Sequence, residues 1–121
     1  MVAGVRFSRL VPIAFMMALT ACGQDQPTPS AADLAARHPA DPRLDSLYQT
    51  SCKACHANPD SGAPPVGFAK AWAPRRAKGD AVLLAHVVEG VGGMPAGGQC
   101  FSCTPDDYRA LIRFLSGSGK D

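Results

Sequence analysis

The sequence predicts a small all-α domain whose short helices are joined by long loops, and three observations carry that reading. No stretch alternates apolar and polar residues as a half-buried strand would. Two segments carry strong helix starts, Asp41-Pro42 and Thr104-Pro105-Asp106-Asp107, each followed by apolar residues at helical spacing. Between them lie runs rich in glycine and proline, residues 58–67 and 90–98, that suit neither regular element.

In the first helix, Asp41 is the cap, Pro42 opens the first turn, and Leu44, Leu47, Tyr48 and Cys52 share one face. Residues 52–56 close it. A short helical turn is expected over residues 68–72. Asp80 is the expected cap of a helix reaching Glu89, with Val82, Leu83, His86 and Val87 on one side and Gly90 as its stop. Thr104 caps the last helix, with Tyr108, Leu111, Ile112 and Leu115 as its apolar stripe and Arg109 and Arg113 toward water. No internal repeat is present.

Ahead of this domain, Arg6 and Arg9 precede an uncharged apolar run over residues 10–19, too short to span a bilayer comfortably. Residues 1–21 therefore read as a secretory signal. Its end, Leu19-Thr20-Ala21-Cys22, resembles the lipobox of bacterial lipoproteins, in which the cysteine is lipidated and becomes the first mature residue. The plainer alternative is an ordinary cleavable signal, or a retained anchor, with a stray cysteine. Cleavage before Cys22 removes 21 of the 121 residues and leaves 100, one small domain with a tail. It also removes two of the 12 Lys and Arg, leaving ten against ten Asp and Glu. The mature chain is formally neutral, which gives no basis for nucleic-acid binding. Residues 22–40 hold almost no large apolar side chain and read as a flexible tether, with residues 41–121 as the folded domain.

Five cysteines in an exported chain of this length are many, and free thiols do not persist in an oxidising compartment. Cys52-Lys53-Ala54-Cys55-His56 has the spacing for covalent haem attachment. Two cysteines three apart on a helix can each reach one vinyl group, and the adjacent histidine then points its imidazole at the iron. A zinc-binding or redox CxxC is the competing reading, and export favours haem.

A six-coordinate haem needs a second axial ligand. Met1, Met16 and Met17 leave with the signal, so Met94 is the methionine that remains. It stands in Gly92-Gly93-Met94-Pro95, where glycines admit close approach to a porphyrin and Pro95 stiffens the exit. A thioether is soft and favours Fe(II), raising the potential. A lone methionine is otherwise core filler, for which a glycine loop is a poor place. His86 and His38 are the rival ligands. His86 falls mid-helix on an apolar face, and His38 lies in the tether.

Residues 48–115 resemble the cytochrome c5 family of class I bacterial cytochromes. The matching pieces are Ser51-Cys52-Lys53-Ala54-Cys55-His56, Gly62-Ala63-Pro64-Pro65-Val66-Gly67, Ala71-Trp72-Ala73-Pro74-Arg75, Gly93-Met94-Pro95-Ala96-Gly97-Gly98 and Cys100-Phe101-Ser102-Cys103 before an acidic helix start. The resemblance implies a class I cytochrome c fold around one haem c, with thioethers at Cys52 and Cys55 and axial bonds from His56 and Met94. It implies that a proline carbonyl, Pro64 or Pro65, accepts from the His56 ring, and that Trp72 and Arg75 lie by the haem propionates. It implies a disulfide between Cys100 and Cys103, which would pin the Met94 loop.

The expected function is a one-electron carrier, not an enzyme, passing electrons between redox proteins on the periplasmic side of a membrane to which Cys22 anchors it. Lys70, Arg75, Arg76 and Lys78 form a basic cluster that is either a docking patch or a solvated loop. A haem peroxidase or gas sensor would leave the sixth position open, against which Met94 speaks. A zinc module of Cys52, Cys55, Cys100 and Cys103 would need to close over the 44 residues between its pairs, beyond usual zinc-ribbon spacing.

Overall fold

The computed structural model describes Met1 and residues 26–119, so the signal segment and Cys22 lie outside the described residues. Among the described residues there is no strand; Val91 and Met94 form one isolated antiparallel bridge. The helices are α1 (Ala31–Ala35), α2 (Pro42–Leu47), α3 (Lys53–His56), α4 (Ala69–Arg76), α5 (Asp80–Glu89) and α6 (Pro105–Ser116). A π-helical turn, Tyr48–Cys52, joins α2 to α3, and a 3₁₀ turn, Ala96–Gln99, follows the Met94 loop.

Local chemistry explains where these elements begin. The Asp41 carboxylate accepts from the Leu44 N–H at 2.9 Å, and Pro42 occupies the first turn, where its missing N–H costs nothing. The widened turn that follows joins α2 to α3, with Thr50 Oγ1 donating back to the Ser46 carbonyl at 2.9 Å. In α6 the Thr104 hydroxyl accepts from the Asp107 N–H at 3.2 Å, and the Asp107 carboxylate accepts from the Thr104 N–H at 2.9 Å. Gly117, left-handed at φ 67°, closes α6.

Two elements differ from expectation. Asp80 is the first residue of α5 rather than its cap; Gly79, at φ 91°, makes the turn and offers no side-chain acceptor. Asp80 instead sets a carboxylate in the first turn, where the helix dipole favours it. α4 runs on to Arg76 with Pro74 inside it, four residues beyond the expected turn.

The core is one cluster of Leu34, Leu47, Tyr48, Val66, Trp72, Cys100, Leu111 and Leu115. α6 meets the π turn through Tyr48 and Phe114, whose rings stand edge to face at 5.1 Å. Leu34 lies in residues 22–40, the expected tether, yet it is fully buried. A Ser30–Asp33 capping box starts the five-residue α1 that carries it. The last part of the tether thus packs on the domain, through a single large apolar residue that a composition-based reading passes over.

Asp107 also accepts from the Arg43 guanidinium at 2.8 Å, tying α6 to the start of α2. That bond, with those from Thr104, holds its pKa at about 2. A carboxylate lowered on folding stabilises the protein above its unfolded pKa near 4, and that stability is lost as pH falls toward 2. Asp107→Asn is therefore expected to lower the melting temperature at pH 7 and to flatten its fall between pH 4 and 2. Thermal melts across that range read both effects; parallel curves for the two proteins would refute the assignment.

Candidate haem site around His56

Cys52 is half-buried and Cys55 exposed, and both are free thiols, whereas Cys100 and Cys103 are joined in a disulfide with Cα atoms 5.4 Å apart. Burial, then the neighbouring Cys55, pushes the Cys52 thiol up to about 11. It is held as a neutral thiol beside the core and is not an activated redox nucleophile. With Cys100 and Cys103 bonded to each other, a four-cysteine zinc module lacks two of its ligands.

His56 is 6% exposed at the end of α3. Its Nδ1 lies 2.8 Å from the Pro64 carbonyl, which fixes the proton on Nδ1 and leaves Nε2 with no hydrogen-bond partner among the described residues. Burial lowers its pKa and the Arg75 charge adds to that, against the Pro64 bond, so the ring is held in the neutral form that binds metal.

The two prolines divide the work. The Val66 N–H donates to the His56 carbonyl at 2.8 Å, folding the loop back on α3. Pro64 then faces the histidine, and Pro65 faces Trp72, whose indole N–H donates to its carbonyl at 2.7 Å. The Trp72 donor expected at a propionate is thus engaged by the protein, with the indole stacked near the imidazole at 5.8 Å and 26°. Arg75 is exposed and donates to the Ala71 carbonyl one turn back on α4. Lys70 and Lys78 are also exposed, and Arg76 is half-buried.

Met94 is half-buried in a loop closed by its own backbone: Val91 N–H to the Met94 carbonyl at 3.1 Å, and Met94 N–H to the Val91 carbonyl at 3.0 Å. The glycines that matter most are not the adjacent Gly92 and Gly93. A Cβ on Gly90, at φ 86°, would stand 2.9 Å from the Met94 carbonyl, and one on Gly98 would stand 3.3 Å from the Met94 methyl. The following 3₁₀ turn packs against α5 and the π turn, beside Cys52. Tyr108, which the sequence places only in the α6 stripe, donates its hydroxyl to the Cys100 carbonyl at 3.0 Å and so holds this loop too. A tyrosine in an apolar helix stripe, eight residues after a loop cysteine, is the one signal that was available for it.

His38 bonds Asp45, with Nδ1 to Oδ1 at 2.8 Å, and His86 is half-buried on α5.

Reducing the Cys100–Cys103 bond is expected to lower the melting temperature by roughly 10 °C, as a loss of about 2 kcal/mol does in a domain of this size. Thioethers resist mild reductants, so the haem stays attached. Free thiols at both positions in the exported protein, by mass after alkylation, would contradict the pairing.

A neutral, buried imidazole with one nitrogen fixed and the other available, one and four residues after two unpaired thiols, fits a covalently held haem. Such a site on a small all-α frame defines a c-type cytochrome. Comparison with known proteins narrows it further. Residues 39–115 match the family model described as cytochrome C oxidase, cbb3-type, subunit III. Cytochrome c5 of Ectopseudomonas mendocina is 33% identical over 60% of this chain and 86% of its own length. Cytochrome c5 of Azotobacter vinelandii is 39% identical over 60% and 90% respectively. A chain from the crystal structure of an electron transfer complex of nitrite reductase with cytochrome c matches at TM-score 0.57 and 35% identity. It spans 66% of this chain and 98% of that one. The chain belongs to the class I c-type cytochromes, in the cytochrome c5 group. It is a monohaem electron carrier.

Proposed function

We propose that the haem is held by thioethers at Cys52 and Cys55, by His56 Nε2 on one side and by the Met94 sulfur on the other, and that the carrier works on the periplasmic side of a membrane, anchored through Cys22. The haem, when bound, supplies a one-electron Fe(III)/Fe(II) couple. His56 keeps its proton on Nδ1 against Pro64 and presents Nε2 as a strong donor. The paired backbone bonds with Val91 and the close approach of Gly90 fix the Met94 backbone independently of its sulfur, while Tyr108 and the disulfide hold the segment that follows.

With both axial positions filled by protein, the site transfers electrons without binding a substrate at iron, which separates it from a haem peroxidase or gas sensor. The partners are redox proteins, as in the electron-transfer complex of its structural relative. The observation that carries the reading is the His56–Pro64 bond, which leaves one nitrogen of a buried neutral ring to coordinate. A pyridine haemochrome assay on exported protein, with the ferric spectrum, tests it. One haem per chain and the weak far-red band of thioether ligation are expected; a high-spin spectrum without that band would favour the open-site alternatives.

Cys22→Ser is expected to reduce the membrane-bound fraction to background and to release a soluble protein with an unchanged visible spectrum, because the haem-binding residues all lie beyond residue 50. Wild type that is already soluble and carries no acyl mass would end the anchor reading.

A further inference from the structure

The orientation of the His56 ring depends on two supports: α3, which carries its Cα, and the carbonyl of Pro64 across the loop. The segment over residues 30–40 touches the neighbourhood of both. On the α3 side, His38 Nδ1–H donates to Asp45, which leaves Nε2 to accept from the Lys53 ammonium at 3.3 Å, beside Cys52. On the loop side, the Arg37 guanidinium lies directly over Gly67, so that any Cβ there would collide with it. Gly67 is itself tied to α6 by its N–H to the Leu115 carbonyl at 2.7 Å. Leu34, fully buried, fills the same cluster as Val66 and Trp72.

We infer that residues 30–40 form a strap that sets the His56–Pro64 hydrogen bond, and that Leu34 and Arg37 are positioning residues for the axial histidine. On the side of the 64–67 loop the strap is held by Leu34 and Arg37; elsewhere Pro39 is buried, and His38 bonds Asp45 and Lys53 and meets the Tyr48 ring edge on at 6.4 Å. Between Ala36, Arg37, His38, Val66, Gly67 and Phe114 a cavity of about 420 Å³ remains, so little else presses the strap against that loop. Removing Leu34 empties a site fully enclosed by core, and removing Arg37 uncovers Gly67. Either change frees the 64–67 loop to move away from the ring. The Nδ1–H then loses its acceptor, the imidazole donates less to iron, and the ferric form is less favoured. The inference rests on His56 being an iron ligand.

The test uses the full exported holo-protein and the variants Leu34→Ala, Leu34→Met, Arg37→Ala and Ile112→Ala. Ile112 is 7% exposed on α6, outside the Leu34 cluster, and serves as the control for general loosening. The readouts are hydrogen exchange of the His56 Nδ1–H by NMR and the reduction potential. Leu34→Ala and Arg37→Ala are expected to speed exchange about tenfold or more and to move the potential upward. Leu34→Met restores both toward wild type. Arg37 is exposed, so its variant folds even if Leu34→Ala does not. Unchanged exchange and potential in Arg37→Ala and Leu34→Ala would overturn the strap, as would equal shifts in Ile112→Ala. Absence of a coordinated His56 in wild type would instead refute the ligand assignment itself.

Discussion

Met94→His is expected to lower the reduction potential by a few tenths of a volt, within the span of about 0.8 V that axial ligands cover. A thioether accepts electron density and stabilises Fe(II), whereas imidazole donates and stabilises Fe(III). Met94→Ala is expected to leave the sixth position to water or to none, so that cyanide and CO bind where wild type resists them. Neither change should unfold the protein. The loop is closed by the paired Val91–Met94 backbone bonds and held below by the Tyr108 hydroxyl and the Cys100–Cys103 bond, none of which uses the sulfur. His86→Ala is the control, costing some packing on α5 while keeping the spectrum and potential near wild type. Spectroelectrochemistry of the three variants decides. If His86→Ala opened the iron and Met94→Ala did not, the protein would be a bis-histidine cytochrome of lower potential.

His56→Ala and Cys55→Ser are expected to abolish stable holo-protein. Among the described residues the main apolar cluster holds eight buried side chains, and a core of that size supplies only about 3–5 kcal/mol unaided. His56 also organises protein around itself: its carbonyl accepts from the Val66 N–H, and its ring Nδ1–H donates to the Pro64 carbonyl. Loss of haem therefore removes the centre about which these contacts close. Haem staining of the exported fraction and a thermal melt are the measurements. A cooperatively melting apo-protein from either variant would show that the polypeptide is stable without its cofactor.

The parts of this molecule that were legible in its residues are those fixed by local chemistry. Asp41-Pro42 and Thr104-Pro105-Asp107 begin helices where their hydrogen-bonding capacity says they must, and Gly90 ends α5 at a positive φ that other residues avoid. The CxxCH spacing is likewise a local pattern. What could not be read depends on where distant residues meet. Leu34 looks like one apolar residue in an alanine-rich tail until Val66 and Trp72 are seen around it. The partition of Pro64 to histidine and Pro65 to tryptophan follows from the fold of a loop, not from the dipeptide. Gly98 stands out only because the Met94 methyl rests against it.

The π turn at Tyr48–Cys52 separates two jobs that would otherwise share a helix. An α-helix advances about 100° per residue, so one extra residue in a turn offsets everything after it by roughly a quarter revolution. Upstream, Leu44 and Leu47 keep the phase that suits the core; Cys52, at the end of the turn, still touches that core, and the exposed Cys55 and buried His56 follow in the offset phase. Deleting one residue between Gln49 and Ser51 would merge the two phases, and either the core stripe or the cysteine pair would then face the wrong way. The haem motif is in this sense indexed separately from the helix that presents it, and substitutions that repack α2 can accumulate without turning the histidine.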